Sequence, residues 1–485
     1  MQNHLRNQMF SLLGALGAAA LFGCVPVQDN SHGSPGDIAD EAAGADNGAP
    51  GSESRVDPAA VAPPAARVLF GITGIVGTGQ SLSVGAQATT FSAAASQPRF
   101  NNLKLALNGT RVPPFTPGAG ALSLVPLVEP IRPLATTFPS AYPANLYGET
   151  PHAAMAAQIT MLARQAGLAD YVTAHTVVGE SGQGMNVINK AATEVVNGAT
   201  STGRAYRATL FEIAAIKRLA AARGQTYGVG AIVLTHGETD SGNTGYESAM
   251  VQLWSDYNQD IKALTGQAES IPLITSQQHS FGFTANQRTS VAPSTIAEWR
   301  VGVDNANNIL CAGPKYQYPY ASDNIHLVTR GYELLGEKTG EVYFQRVVLG
   351  NSWQPLQPIA VSRSGRVVTV RFHVPVPPLA WDTALPTPHQ SALTQWAQGR
   401  GFELRQGNTL LTISSVQIVN DTVQITAAAN VPAGAIVGYA ATSDGVALAG
   451  VSRRWGKLID SDRTVGVFTG QAQPNYAVAF ELTVP

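Results

Sequence analysis

Ser81 lies in Gly79-Gln80-Ser81-Leu82-Ser83-Val84-Gly85, directly after the apolar run Val68-Leu69-Phe70-Gly71-Ile72-Thr73-Gly74-Ile75-Val76. The run is rich in β-branched residues and punctuated by glycine, which predicts a buried strand. Gly77-Thr78-Gly79 then lets the backbone turn sharply and leaves a hydroxyl just beyond the carboxyl end of the strand, where open α/β sheets place their sites. A serine hydroxyl attacks nothing until a base takes its proton, and the base needs a group to orient it. Asp323-Asn324-Ile325-His326 offers both, because a three-residue offset lets the carboxylate curl back to one ring nitrogen while the other faces outward. The chemistry is acyl transfer, with Ser81 as nucleophile, His326 as general base and Asp323 as its orienter. Each residue also has a purely structural use, since Ser81 could cap the helix after it and Asp323 the helix that starts near Leu327.

A third block, His236-Gly237-Glu238-Thr239-Asp240, follows the apolar run Val229 to Thr235. Taken in order, Gly-Gln-Ser, His-Gly-Glu and Asp-x-x-His resemble the motifs of the SGNH (GDSL-type) hydrolases, and among these the sialate O-acetylesterase-like carbohydrate esterases, which carry Gln-Gly-Glu in the middle. The resemblance spans roughly Val68 to Gly350. It implies a flavodoxin-like three-layer α/β/α domain with a mostly parallel, five-stranded sheet. It also implies an enzyme that removes O-acetyl groups from a sugar or polysaccharide without a cofactor. Its oxyanion hole would take the backbone N–H of Ser81, a glycine of Gly179-Glu180-Ser181-Gly182-Gln183-Gly184, either Gly182 or Gly184, and a donor from the third block. There this chain has His236 in place of glutamine, and a neutral imidazole donates one hydrogen bond in one tautomer only. Gln80, Gly237, Glu238 and Asp240 are the supporting groups. Two other readings stay open, an esterase or lipase acting on other short-chain esters, and a surface lipoprotein whose hydrolase-like domain only binds glycan.

Other chemistries find less support. His236, Glu238, Asp240 and His175 match neither a zinc helix motif nor a calcium loop, and no phosphate loop or dinucleotide fingerprint stands in the right context, so no metal and no cofactor are expected. A formal net charge of -2 with no basic run argues against nucleic acid as a partner. The expected partners are an acylated carbohydrate or other small ester and, through a lipid anchor, a membrane. That anchor is read from the first residues. His4 and Arg6 precede an apolar stretch from Met9 to Phe22, of the size of a signal h-region, which ends in Leu21-Phe22-Gly23-Cys24. This resembles a bacterial lipobox and implies cleavage after residue 23, lipidation of Cys24 and attachment to the cell envelope. The only other cysteine is Cys311, so no structural disulfide is expected.

The elements that must position the blocks follow from periodicity. Residues 24–66 are Gly, Ser, Pro, Ala and Asp with almost no large apolar residue, the composition of a tether. The Pro- and Gly-rich stretch Gln87 to Tyr147 reads as loops around the mouth of the site. Helices are predicted over His152 to Arg164, Arg204 to Arg223, a segment through Leu253, Tyr257 and Leu264, and Leu327 to Val347; strands over Tyr171 to Val178, Val229 to Thr235, Ile271 to Thr275 and Asn308 to Cys311. These alternate, which predicts a mostly parallel sheet covered on both faces, and the resemblance implies that residues 67–350 are the hydrolase domain. Beyond Trp353 the period becomes two, as in Val368, Val370, Phe372 and Val374, and Val416, Ile418, Val423 and Ile425 flank the turn pair Asn420-Asp421. Residues 354–485 are therefore predicted to form a separate β-sandwich-like accessory domain. Trp455 in that part is either core or, exposed beside Arg453 and Arg454, a stacking platform for a sugar ring, with core the commoner fate of a sandwich tryptophan.

Overall fold

Strand β1, Ile72–Gly79, is buried along its whole length and stands at the middle of the sheet that organises the chain. The structure is a computed structural model and describes residues 65–107, 122–131, 148–196, 199–280, 291–443 and 448–485. The signal segment, Cys24 and the tether to residue 64 lie outside these residues. After β1 come β2 (Leu103–Leu107), β3 (Leu122–Pro126), α1 (His152–Gln165), β4 (Thr173–Gly179) and the short α2 (Met185–Ile188). A hairpin of β5 (Thr193–Val196) and β6 (Ala199–Thr202) leads to α3 (Arg204–Ala221), β7 (Tyr227–Thr235) and α4 (Tyr246–Thr265). The unit closes with β8 (Leu273–Gln277), α5 (Pro293–Asp304), β9 (Ile309–Pro314) and α6 (Thr329–Tyr343).

The sheet has seven strands in the order β3-β2-β4-β1-β7-β8-β9, parallel except for the edge strand β3. Sequence reasoning gave five. The two additional strands lie in the stretch read as loops, where Pro- and Gly-rich flanks hide the short alternation Leu103, Leu105, Leu107. Helix α5 was also not read from the sequence. Alternate residues of the central strands feed two layers, as a sheet covered on both faces requires. Ile232 and Leu234 of β7 pack with α3 and α4, whereas Ala231 and Val233 pack with Met155 and Ile159 of α1 and Val342 and Tyr343 of α6.

The C-terminal part is antiparallel throughout. It comprises β10 (Gln357–Ser364), β11 (Val367–His373), β12 (Ala380–Trp381), β13 (Phe402–Gln406), β14 (Thr409–Leu410), β15 (Ile413–Val419), β16 (Thr422–Ala427), β17 (Ile436–Tyr439), β18 (Leu458–Ile459) and β19 (Phe480–Thr483). One sheet runs β10-β11-β16-β15 and another β14-β13-β17-β19, and Val368, Val370, Phe372 and Ile425 of the first share a core with Phe402, Leu404, Val437 and Phe480 of the second. The alternation read from the sequence is thus the inward and outward alternation of a two-sheet packing. This C-terminal region of antiparallel sheets also packs directly onto the α/β part. The same core takes in Trp299 of α5, Cys311 of β9 and Tyr316, so it is continuous with the α/β part, and Pro63–Pro485 is one compact unit. Polar ties run along this seam: Gln277 exchanges hydrogen bonds with the backbone of Ala479 at 2.8 and 2.9 Å, and Trp299 Nε1 donates to Gln357 Oε1 at 2.8 Å. Trp455 is core, with its Nε1–H donated to Pro386 O at 3.0 Å. Among the described residues no helix is long and apolar enough to cross a membrane.

Candidate active site

The register of the central strands brings three of the sequence blocks to one line. Gly79 at the end of β1 is level with Gly179 at the end of β4 and with Thr235 at the end of β7. The chain leaves β1 toward β4 on one side and returns to β7 on the other, so β1 stands where the strand order reverses, the place in a parallel sheet where loops part and leave a crevice. Gly79 is required there. Its φ is +139°, and a Cβ would lie 2.0 Å from Thr235 O. Gln80 N then donates to that same carbonyl at 3.1 Å, and residues Ser81–Val84 form a single 3-10 turn. As the first residue of this turn, Ser81 has no acceptor for its N–H within it.

His326 arrives after β9 on the loop before α6. Its Nε2 lies 2.8 Å from Ser81 Oγ and its Nδ1 2.7 Å from Asp323 Oδ2. A carboxylate only accepts, so Nδ1 carries the proton and Nε2 is the acceptor for the Ser81 hydroxyl. Asp323 Oδ1 is engaged as well, receiving the backbone N–H of Ile325 at 2.9 Å and of His326 at 3.0 Å. Burial would raise the Asp323 carboxyl, but the hydrogen bonds from His326 and Ile325 outweigh it and hold it below its ordinary value. Ser81, His326 and Asp323 therefore form one hydrogen-bonded line, able to draw a proton off the serine and hold the resulting imidazolium.

Gly179-Glu180-Ser181-Gly182-Gln183-Gly184, the second block in chain order, is a turn closed by Gln183 N to Glu180 O at 3.2 Å, with Gly182 at φ +72°, a conformation that glycine adopts without strain. Gly182 is exposed at the tip, and Gly184 is buried against Asp240. Glu180 N donates to Gly79 O at 2.9 Å, which lays the turn beside the Ser81 block, and the Glu180 carboxylate pairs with Arg204 at the start of α3. Asp240 Oδ2 accepts Met185 N at 2.6 Å, and Gln80 Oε1 accepts Thr239 N at 3.3 Å, so the first and second blocks are both tied to the third.

The expectation for His236 is corrected. The ring is fully buried; Nε2 donates to Gln183 O at 3.0 Å, and Nδ1 accepts the Tyr246 hydroxyl at 2.8 Å. Burial lowers its pKa and keeps it neutral. Its one N–H is thus committed to the backbone of the second block, and no side-chain donor is left for an oxyanion. His236 holds the Gly182–Gly184 turn in place instead. Glu238 is a supporting group of a kind the sequence did not specify: its Oε1 meets Lys315 Nζ at 2.7 Å with both side chains buried. A lone lysine in the apolar run Cys311 to Tyr316 was the available signal. Gly237, at φ +113°, leaves room for Glu298, whose Oε1 would lie 2.4 Å from a Cβ. His175 is elsewhere, its Nδ1 facing His152 Nδ1 at 3.0 Å and its Nε2 Thr173 Oγ1 at 3.0 Å. Among the described residues no group of three His, Cys, Asp or Glu side chains could hold a metal ion.

The segment after Ser81 is held from two sides. Tyr332 Oη donates to Ala86 O at 2.8 Å and Thr329 Oγ1 to Thr90 O at 2.6 Å, and Glu149 Oε2 accepts Ser92 N at 2.6 Å. Burial and the neighbouring Glu129 and Glu333 raise Glu149 to about 8, against the hydrogen bond from Ser92. A carboxyl with a raised folded-state pKa holds its proton more tightly in the folded chain. Its contribution is present below its unfolded value near 4.5 and is lost as pH rises through about 8. Glu149→Gln, which keeps an acceptor for Ser92 N, is expected to flatten the fall in melting temperature between those limits, read by calorimetry across pH. An unchanged slope contradicts this. Glu129, raised to about 7 by burial, keeps part of the slope in either protein.

Comparison with known proteins found no matching family model and no matching curated sequence. Among solved structures, a carbohydrate acetylesterase from Xanthomonas citri superposes with a TM-score of 0.51 at 13% identity, over 84% of this chain and 80% of that one. NanS gives a TM-score of 0.36 at 12% identity over 59% of this chain and 98% of its own, and Est24, a carbohydrate acetylesterase from Sinorhizobium meliloti, 0.29 at 11% over 56% and 97%. The chain shares the fold of the Xanthomonas citri carbohydrate acetylesterase.

Proposed function

We propose that the protein is a serine esterase of the SGNH type that removes O-acetyl groups from a carbohydrate. Ser81 attacks the acetyl carbonyl while His326 Nε2 accepts its proton, and Asp323 stabilises the imidazolium that forms. Negative charge on the carbonyl oxygen is met by the N–H of Ser81 and by backbone N–H groups of the Gly182–Gly184 turn, which His236 and Asp240 fix in position. His326 returns the proton to the departing sugar oxygen, then activates the water that releases acetate. One observation carries the reading: the unbroken line from Ser81 Oγ to Asp323, with steps of 2.8 and 2.7 Å. The fold shared with a carbohydrate acetylesterase supports the sugar as acyl carrier. The lipobox resemblance at Cys24 supports a place in the cell envelope, held by lipid.

The test is turnover of p-nitrophenyl acetate together with acetate release from an acetylated polysaccharide. Release from both is expected. Turnover of the aryl ester alone, with longer acyl chains preferred, favours an esterase of other short-chain esters, and inertness toward every ester overturns the reading.

A further inference from the structure

We propose that the C-terminal β part positions the general base: Asn324 anchors the Asp323–His326 loop to the backbone of residues 448–451. The inference rests on the esterase reading, and it concerns what keeps His326 aimed. The two residues that matter are partly open to solvent, at 33% of the Asp323 side chain and 19% of the His326 side chain, so packing alone does little to fix them. Asn324 between them is 3% exposed. Its Nδ2 donates to Leu448 O and, at 2.8 Å, to Val451 O, while Tyr320 N reaches Gly450 O at 2.9 Å. Three carbonyls of one short C-terminal segment are therefore used by the segment that carries the base.

The backbone agrees with this assignment. Asn324 has φ +57°, a left-handed conformation that asparagine and glycine tolerate and most residues do not. The turn is also closed on itself, with Ala321 N donating to His326 O at 2.8 Å and Asn324 N to Ala321 O at 3.0 Å. Internal bonds give the loop its shape. The amide of Asn324 sets where that shape sits against residues 448–451. From the same segment, Arg453 brings positive charge toward Asp323: burial lowers the guanidinium pKa and the carboxylate opposes that fall. A misplacement of about an ångström at a reacting group costs on the order of a hundredfold, so an anchor of this kind belongs to the machinery although it touches no substrate.

Two variants separate anchor from backbone. Asn324→Gly keeps the left-handed conformation and removes the amide, and Asn324→Asp keeps the shape but turns a carboxylate oxygen toward two carbonyls. For both, kcat on p-nitrophenyl acetate is expected to fall about a hundredfold with KM nearly unchanged. The 2.7 Å bond from His326 Nδ1 to Asp323 is expected to give a low-field proton resonance in the parent protein, which in both variants should broaden or vanish while the chain stays folded by circular dichroism. An Asn324→Gly protein that keeps its kcat and its low-field resonance overturns the anchor. So does a loss of kcat that disappears when the assay is run well below the melting temperature, because global stability then accounts for it. Should the parent show the resonance but turn over no ester, the esterase reading fails; the resonance lost in the variants then still supports the anchor, and the resonance retained overturns it too.

Discussion

Ser81→Ala is expected to lower kcat on p-nitrophenyl acetate by about a millionfold, leaving KM and melting temperature almost unchanged. The hydroxyl is the atom of the line assigned the acyl bond, and without it the remaining contribution is positioning and backbone donors, worth roughly a thousandfold or more over water. Little stability is at stake. Ser81 Oγ gives its hydrogen bond to His326 Nε2, whose side chain is 19% exposed, so water can take over the acceptor when the hydroxyl is gone. A kcat reduced by less than about a hundredfold excludes Ser81 as nucleophile. A large fall in melting temperature instead means that the 3-10 turn depends on this hydroxyl.

Asp323→Asn should cost about ten thousandfold in kcat through a tautomer, not through lost shape. Asp323 Oδ1 already receives two backbone N–H groups, from Ile325 and His326, and these keep the amide oxygen of the variant in that position. The amide nitrogen then replaces Oδ2, facing His326 Nδ1 where a donor stands in the parent. Two donors cannot face each other, so the ring proton moves to Nε2, and Nε2 can no longer accept from Ser81. The acid dependence of folding should also weaken. Because the folded-state pKa of Asp323 is lowered, its stabilising effect is present above the unfolded value near 3.8 and is lost as pH falls through the folded one. Measuring kcat at neutral pH and melting temperature from neutral to acid for parent and variant checks both effects; a variant within about tenfold of the parent kcat contradicts the orienting role.

How much of this could be read in the chain depends on how far apart the interacting residues are. β1 and β7 were legible because a strand buried on both faces is a continuous apolar run, and Asp323 and His326 because their contact is local. Strands β2 and β3 were not, since each is five residues long and lies among Pro and Gly. The state of His236 could not be deduced either: its partners Gln183 and Tyr246 come from other elements, and only together do they fix which nitrogen carries the proton. The packing of Trp299, Cys311 and Tyr316 against Phe480 and Tyr439 was not legible either, because a change of period marks where the strand pattern begins and not what it packs on. Asn324 was visible as a letter inside the motif, but its acceptors lie more than a hundred residues later, at Leu448 and Val451.

The central claim is that Ser81 carries the acyl group. Rapid quenching of the protein during turnover of p-nitrophenyl acetate, followed by peptide mass spectrometry, reads this directly. An acetyl adduct on Ser81 that forms within the first turnover, accumulates further in an Asp323→Asn protein if deacylation is slowed more than acylation, and never forms in Ser81→Ala is the predicted result. Undiminished ester hydrolysis by Ser81→Ala, or an adduct on another residue formed at the turnover rate, would contradict it.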